Sequence, residues 1–172
     1  QHPGSALLVS HGFQSDYEAG FANGVARNGV KVTLIASNQT LLDRLHPAID
    51  VLNLRGSQDA KRPPWRKAVN LLYYVLRLLS FMAVRRPVTH LTGLFLFSAS
   101  TASWAEKSWA WECRCLRLLS RKLVLTVHNV LPHDRDTPAL RKSLLAAYQV
   151  PDCLVVHTAR ARQRLANEFG ID

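Results

Sequence analysis

The sequence predicts an α/β protein built on a doubly wound, mostly parallel sheet with helices on both faces. Short apolar runs of β-forming residues alternate with longer helical patterns along the whole chain. The first strand, helix and second strand also fit within about thirty residues, the span of a parallel crossover unit. The length of 172 residues suits one domain, and a domain of that size buries roughly 70% of the surface its unfolded chain would expose.

Residues 6–9 read as a buried first strand, since a short apolar run is followed at once by polar residues and glycine. Ser15-Asp16-Tyr17-Glu18 has capping-box spacing. Ser15 is therefore expected to accept from the Glu18 amide while the Glu18 carboxylate returns to the Ser15 amide. A helix should run from there to Asn28, with Gly29 supplying the left-handed residue that ends it. Residues 30–36 form a second strand and 51–54 a short third. Residues 56–64 are polar, basic and proline-containing, which predicts an exposed loop. A helix over 65–86 ends at Pro87, and 88–91 is the fourth strand. Residues 101–122 read as a long helix and 123–127 as a strongly β-forming fifth strand. Thr137 caps and Pro138 opens the next helix. Residues 153–156 form the sixth strand, and Thr158 caps a last helix that Gly170 stops.

Composition narrows the class. Hydrophobic residues make up 48% and charged residues 20%, the balance of an ordinary folded domain rather than a disordered one. Lys and Arg number 22 against 12 Asp and Glu, a net charge of +10, so an anionic partner is expected. Cys113, Cys115 and Cys153 are too few and too unevenly placed for a disulfide framework, which suggests a reduced, cytosolic compartment. The most apolar stretch, 71–84, is broken by Arg77. It is shorter than the about 20 residues a membrane span needs, so no crossing is expected.

In an open parallel sheet, ligands bind outside the carboxyl ends of the strands. His11 and Gly12 follow the first strand, Thr92 and Gly93 the fourth, His128 and Asn129 the fifth, and His157 the sixth. His11, His128, His133 and His157 thus fall in rim loops, and His90 lies near the end of the fourth strand. Imidazoles titrate near neutrality and serve as donors, acceptors or general bases. Amides at the start of the first helix, after Gly12, suit an anionic group. Cys113-Arg114-Cys115 sends its thiols to different helix faces and has no second pair, so no zinc site is expected there. The chain has no P-loop, no G-x-G-x-x-G dinucleotide fingerprint and no G-x-S-x-G nucleophile elbow.

The segment Leu123-Val-Leu-Thr-Val-His-Asn-Val-Leu-Pro-His-Asp134 resembles the "VxTVHNVLPHE" element of family 4 glycosyltransferases with the GT-B fold. Asp152-Cys-Leu-Val-Val-His-Thr158 is similar to that family's "aDxIVxHS" strand and loop. Leu165-Ala-Asn-Glu-Phe-Gly-Ile171 is similar to its following helix end, and Asn28-Gly29-Val30-Lys31-Val32 to its "rGHeV". The resemblance implies the amino-terminal, Rossmann-like, acceptor-side domain of a retaining enzyme that uses a nucleotide-diphosphate sugar and no metal or other cofactor. It also implies a carboxy-terminal nucleotide-sugar domain outside these residues, and hence an isolated chain without activity.

By the same resemblance, Gly12 and Phe13 occupy the loop that approaches the donor phosphate, with Phe where the family has a second Gly. His90 matches the first His of the segment after the fourth strand, and Thr92 stands where its second His or Gln would be. His128 and Asn129 match the acceptor-lining "TxHN" element, and His133 and Asp134 its continuation, with Asp in place of Glu. His128 is the expected catalytic residue; His90, Thr92, Asn129, His133 and Asp134 are the expected acceptor contacts.

Arg114, Arg117 and Arg121 form one stripe of the 101–122 helix, near Trp104, Trp109 and Trp111. With the apolar 71–84 stretch beside Arg85 and Arg86, they suggest attachment to an anionic, cytoplasmic membrane face. The acceptor is then expected to be a glycan or a lipid-linked sugar. One alternative is a non-catalytic module that holds a glycan, a lipid or a partner subunit. A nucleic-acid binder is a second, although no recognition motif gathers the basic residues.

Overall fold

The computed structural model describes residues 4–11, 14–92, 95–97, 103–131 and 136–171. Six strands, β1 (Ser5–Val9), β2 (Lys31–Ile35), β3 (Asp50–Leu52), β4 (Val88–Leu91), β5 (Lys122–Val127) and β6 (Cys153–Val156), form one sheet. Their order is β3-β2-β1-β4-β5-β6, and every neighbouring pair is parallel. The helices are α1 (Ser15–Arg27), α2 (Pro64–Arg85), α3 (Ser103–Leu119), α4 (Pro138–Tyr148) and α5 (Ala159–Phe169). The chain leaves β1 toward β3, returns through α2 to β4, and continues to β6. Its direction therefore reverses beside β1, the switch point where such sheets open a crevice.

The layers follow from the two-residue alternation of the strands. Leu7, Val9, Leu91, Leu123, Leu125 and Val127 point into the larger core, where α2, α3, α4 and α5 supply Met82, Leu116, Leu140 and Phe169. Leu8, Val32 and Leu34 point the other way, against Ala22 of α1. The face bearing α1 is the thinner one.

Local signals act as expected at most ends. Gly29 adopts φ 77° after α1 and Gly170 φ 64° after α5, left-handed values that glycine reaches at no steric cost. The Thr137 hydroxyl accepts from the Leu140 amide at 3.2 Å, and that of Thr158 from the Ala161 amide at 3.0 Å. The capping box does not form. Gln14 occupies the cap without a side-chain bond, and the buried Glu18 carboxylate instead accepts from the Ser10 hydroxyl at the end of β1. A buried tertiary partner has displaced a solvent-exposed local one.

The helix expected over 101–122 ends at Leu119. The Ser120 hydroxyl bonds the Leu116 carbonyl at 2.6 Å and Thr89 at 2.7 Å, and Lys122 already belongs to β5. The basic stripe of α3 is also partly diverted. Arg117 pairs with Asp152 at 2.7 Å, and Trp109 is buried against Phe95, while Trp104 and Trp111 stay exposed.

The apolar exposure lies instead on α2. This helix begins at Pro64, well before the 71–84 stretch, and is long and apolar enough to cross a bilayer by length and composition. Tyr74, Leu78 and Met82 nevertheless seat it on the sheet. Trp65, Val69, Leu72, Tyr73 and Leu76 form an exposed stripe at helical spacing.

Candidate functional site

Register brings the rim residues together. His90 of β4 pairs with Val124 of β5, and Thr126 of β5 pairs with Val155 of β6. Alternation then places His90, Thr126, His128 and His157 on the sheet face that carries α1. From α1, the Tyr17 ring meets His128 edge-on at 4.9 Å and His157 at 5.8 Å, and Phe21 meets His90 at 4.9 Å.

His90 is the buried member. Its Nε2 lies 2.8 Å from Thr126 Oγ1, and burial pushes its pKa down to about 4. It is neutral at physiological pH and holds the β4–β5 rim together.

His128 stands in front, half-buried. Its Nε2 lies 2.7 Å from the Thr92 carbonyl oxygen, and its Nδ1 lies 3.1 Å from Nε2 of the exposed His157. A carbonyl oxygen can only accept, so His128 Nε2 carries the proton. In the neutral ring Nδ1 is then a lone pair, and His157 Nε2 donates to it. Burial lowers the His128 pKa, the Thr92 carbonyl opposes that, and the His157 charge lowers it further. The resulting chain runs from carbonyl to imidazole to imidazole and leaves the Nδ1 lone pair of His157 as the outermost basic atom. Such a chain orients a base and offers a route along which a proton can be passed.

The other expected residues fall in different places. Thr92 is buried; its amide donates to the Val9 carbonyl at 2.9 Å, and its contribution to the cluster is its own carbonyl rather than its side chain. Asn129 is exposed, and its carbonyl accepts from the Tyr148 hydroxyl at 3.5 Å. His11 does not join the cluster. It packs between α2 and α3, with Nδ1 3.1 Å from the Tyr74 hydroxyl and Nε2 2.7 Å from Glu112. Gly12, Phe13, His133 and Asp134 lie outside the described residues.

Tyr17, Thr126 and His157 were not among the residues the resemblance assigned. His157 carried a signal, since it directly follows a strand. Tyr17 read only as an inner position of the 15–18 capping-box segment. Cys113 is buried and Cys115 exposed on α3, as their spacing requires, and among the described residues no three His, Cys, Asp or Glu side chains gather to hold a metal ion. The chain matches no family model, and a search of curated proteins finds no match to it.

Proposed function

We propose that this chain is the acceptor-side domain of a two-domain glycosyltransferase that moves a sugar, with retention, from a nucleotide-diphosphate sugar to a glycan or lipid-linked acceptor. The observation that carries the reading is the fixed orientation of His128, one ring nitrogen on the Thr92 carbonyl and the other on His157. A doubly wound parallel sheet with such a pair at its carboxyl rim suits a cleft that a second domain would close. The segment resemblance at 123–134 and 152–171 points the same way.

In this reading His157 Nδ1 bonds an acceptor hydroxyl and takes its proton, His128 orients and backs that ring, and His90, Tyr17 and Thr126 hold the pair in place. The test is transfer by the full-length protein that contains this chain. His128→Ala should cut turnover at least tenfold, about 1.4 kcal/mol of transition-state stabilisation. Wild-type turnover in that variant removes the histidine pair from the reaction.

The exposed stripe of α2, with Arg66, Lys67 and Arg77 beside it and Arg85 and Arg86 at its end, supports attachment to an anionic membrane face. Apolar side chains would enter the headgroup region while the guanidinium groups meet lipid charge. The protein should float with vesicles containing anionic lipid and release at ~1 M salt, where the Debye length is about 3 Å. Replacing Trp65, Leu72 and Leu76 together by Ser should abolish flotation. Equal flotation of that variant would contradict the assignment.

A further inference from the structure

Away from the histidine cluster, a concave region lies between the loop after β3 and the first turns of α2. Its cavity of about 320 Å³ is lined by Arg55, Arg62, Lys67, His11 and Gln58, with Asp59 the acidic side chain on its wall. That volume lies near the lower end of small-ligand pockets, about 300–1,000 Å³. None of Tyr17, His90, His128 or His157 lines it.

Arg55 is the unusual member. It is 7% exposed, yet its guanidinium makes no hydrogen bond or ion pair among the described residues. Glu18 and the Tyr74 phenol act on it only through space, and the Glu18 carboxylate is bonded to Ser10. The Arg55 nitrogens are not among the fully buried, unsatisfied atoms of the described residues and open onto the cavity, where a guanidinium drawn out of bulk water without a protein partner carries a desolvation cost. A histidine or lysine can escape that cost by losing its proton, whereas arginine does not. Arg55 therefore presents a permanent positive charge to the cavity.

The loop that presents it is built rigidly. Gln58 and Asn70 side-chain amides both donate to the Arg55 carbonyl at 2.8 Å. The Lys67 ammonium donates to the Ala60 carbonyl at 2.7 Å, which leaves two of its three protons for a ligand. Gly56 sits at φ 61°, and a Cβ there would come 2.8 Å from Asn70 Oδ1, so the loop is drawn tightly onto α2. The first turn of α2 has no side-chain cap and no acidic residue.

We propose that this cavity binds a phosphate group, free or as a phosphomonoester, with Arg55 as the buried fork and Arg62 and Lys67 completing the charge. Planar guanidinium and tetrahedral oxyanion match in bidentate geometry, and a single carboxylate would leave the other two cations unanswered. The proposal stands apart from the transfer reading, since it is tested by binding alone.

Calorimetric titration of the protein with inorganic phosphate, and separately with glycerol 1-phosphate, at constant ionic strength is the test. Both ligands should bind saturably. Arg55→Met should weaken each at least tenfold, Lys67→Met several-fold, and Arg160→Ala, on the exposed surface of α5, not at all. Tighter binding of the ester than of phosphate by tenfold or more assigns the cavity to a phosphorylated substrate; equal binding assigns it to the free anion. Absence of saturable binding to wild type overturns the proposal. So does undiminished binding by Arg55→Met and Lys67→Met with native thermal melts.

Discussion

The two halves of the carboxyl rim answer burial in opposite ways. Over β4 to β6 the buried and half-buried groups are imidazoles, and burial lowers the pKa of both His90 and His128. They become neutral: His90 bonds Thr126, and His128 bonds His157 and the Thr92 carbonyl. Over β1 to β3, beside the buried Glu18 and His11, lies the arginine Arg55, whose pKa burial also lowers, but from so high a value that the charge stays. In the readings proposed above, one half moves protons and the other holds an anion. The net charge of +10 is thus uninformative as a sum, since what matters is which cations lack a partner inside the fold.

The contrast can be broken most directly at His90. Its folded pKa is about 4 against an ordinary 6.5, so below pH 6.5 the unfolded chain binds a proton that the folded chain refuses. Stability is therefore complete above about pH 6.5 and is lost as pH falls toward 4, by about 3 kcal/mol from this residue. Urea unfolding across that range should show the slope, and His90→Phe should flatten it. An unchanged slope in the variant would mean that the imidazole is not held neutral by the fold, and the two rim halves would then differ less than argued here.

A smaller effect sharpens the comparison. Thr158 caps α5 and directly follows His157, whereas Thr137 caps α4 by the same type of bond. Replacing either by Ala should cost about 1 kcal/mol in urea unfolding. Under the proposed transfer reading, only Thr158→Ala should also slow turnover of the full-length protein, by a few-fold, because it loosens the base of His157. Equal turnover in the two variants would show that the cap and the histidine act independently.

The six strands were legible in the sequence because backbone rules are local, although the third, expected over 51–54, spans Asp50–Leu52. Gly29, Gly170, Thr137, Thr158 and Pro87 mark the boundaries where the structure has them. Residues 88–91 and 153–156 are strands with those bounds. Parallel pairing followed from alternation of elements, and the rim position of His128 and His157 followed from pairing.

Failures of the sequence reading came where a distant residue decided. Glu18 left the capping box for Ser10, eight positions upstream and on another element. Ser120 ended α3 through Thr89. The joining of His128 to Thr92 spans 36 positions, beyond any local periodicity. Arg55 was legible in principle, as it lies just beyond β3 at the ligand-binding edge. In the sequence it is one more charge, directly before the basic 56–64 loop, since burial is not written in residue type.

The most direct test of the central arrangement is the ¹⁵N spectrum of the imidazole rings at pH 7. The account predicts a neutral His128 protonated on Nε2, with Nδ1 accepting a hydrogen bond that disappears in His157→Ala. A His128 protonated on Nδ1, or fully charged at that pH, would contradict it.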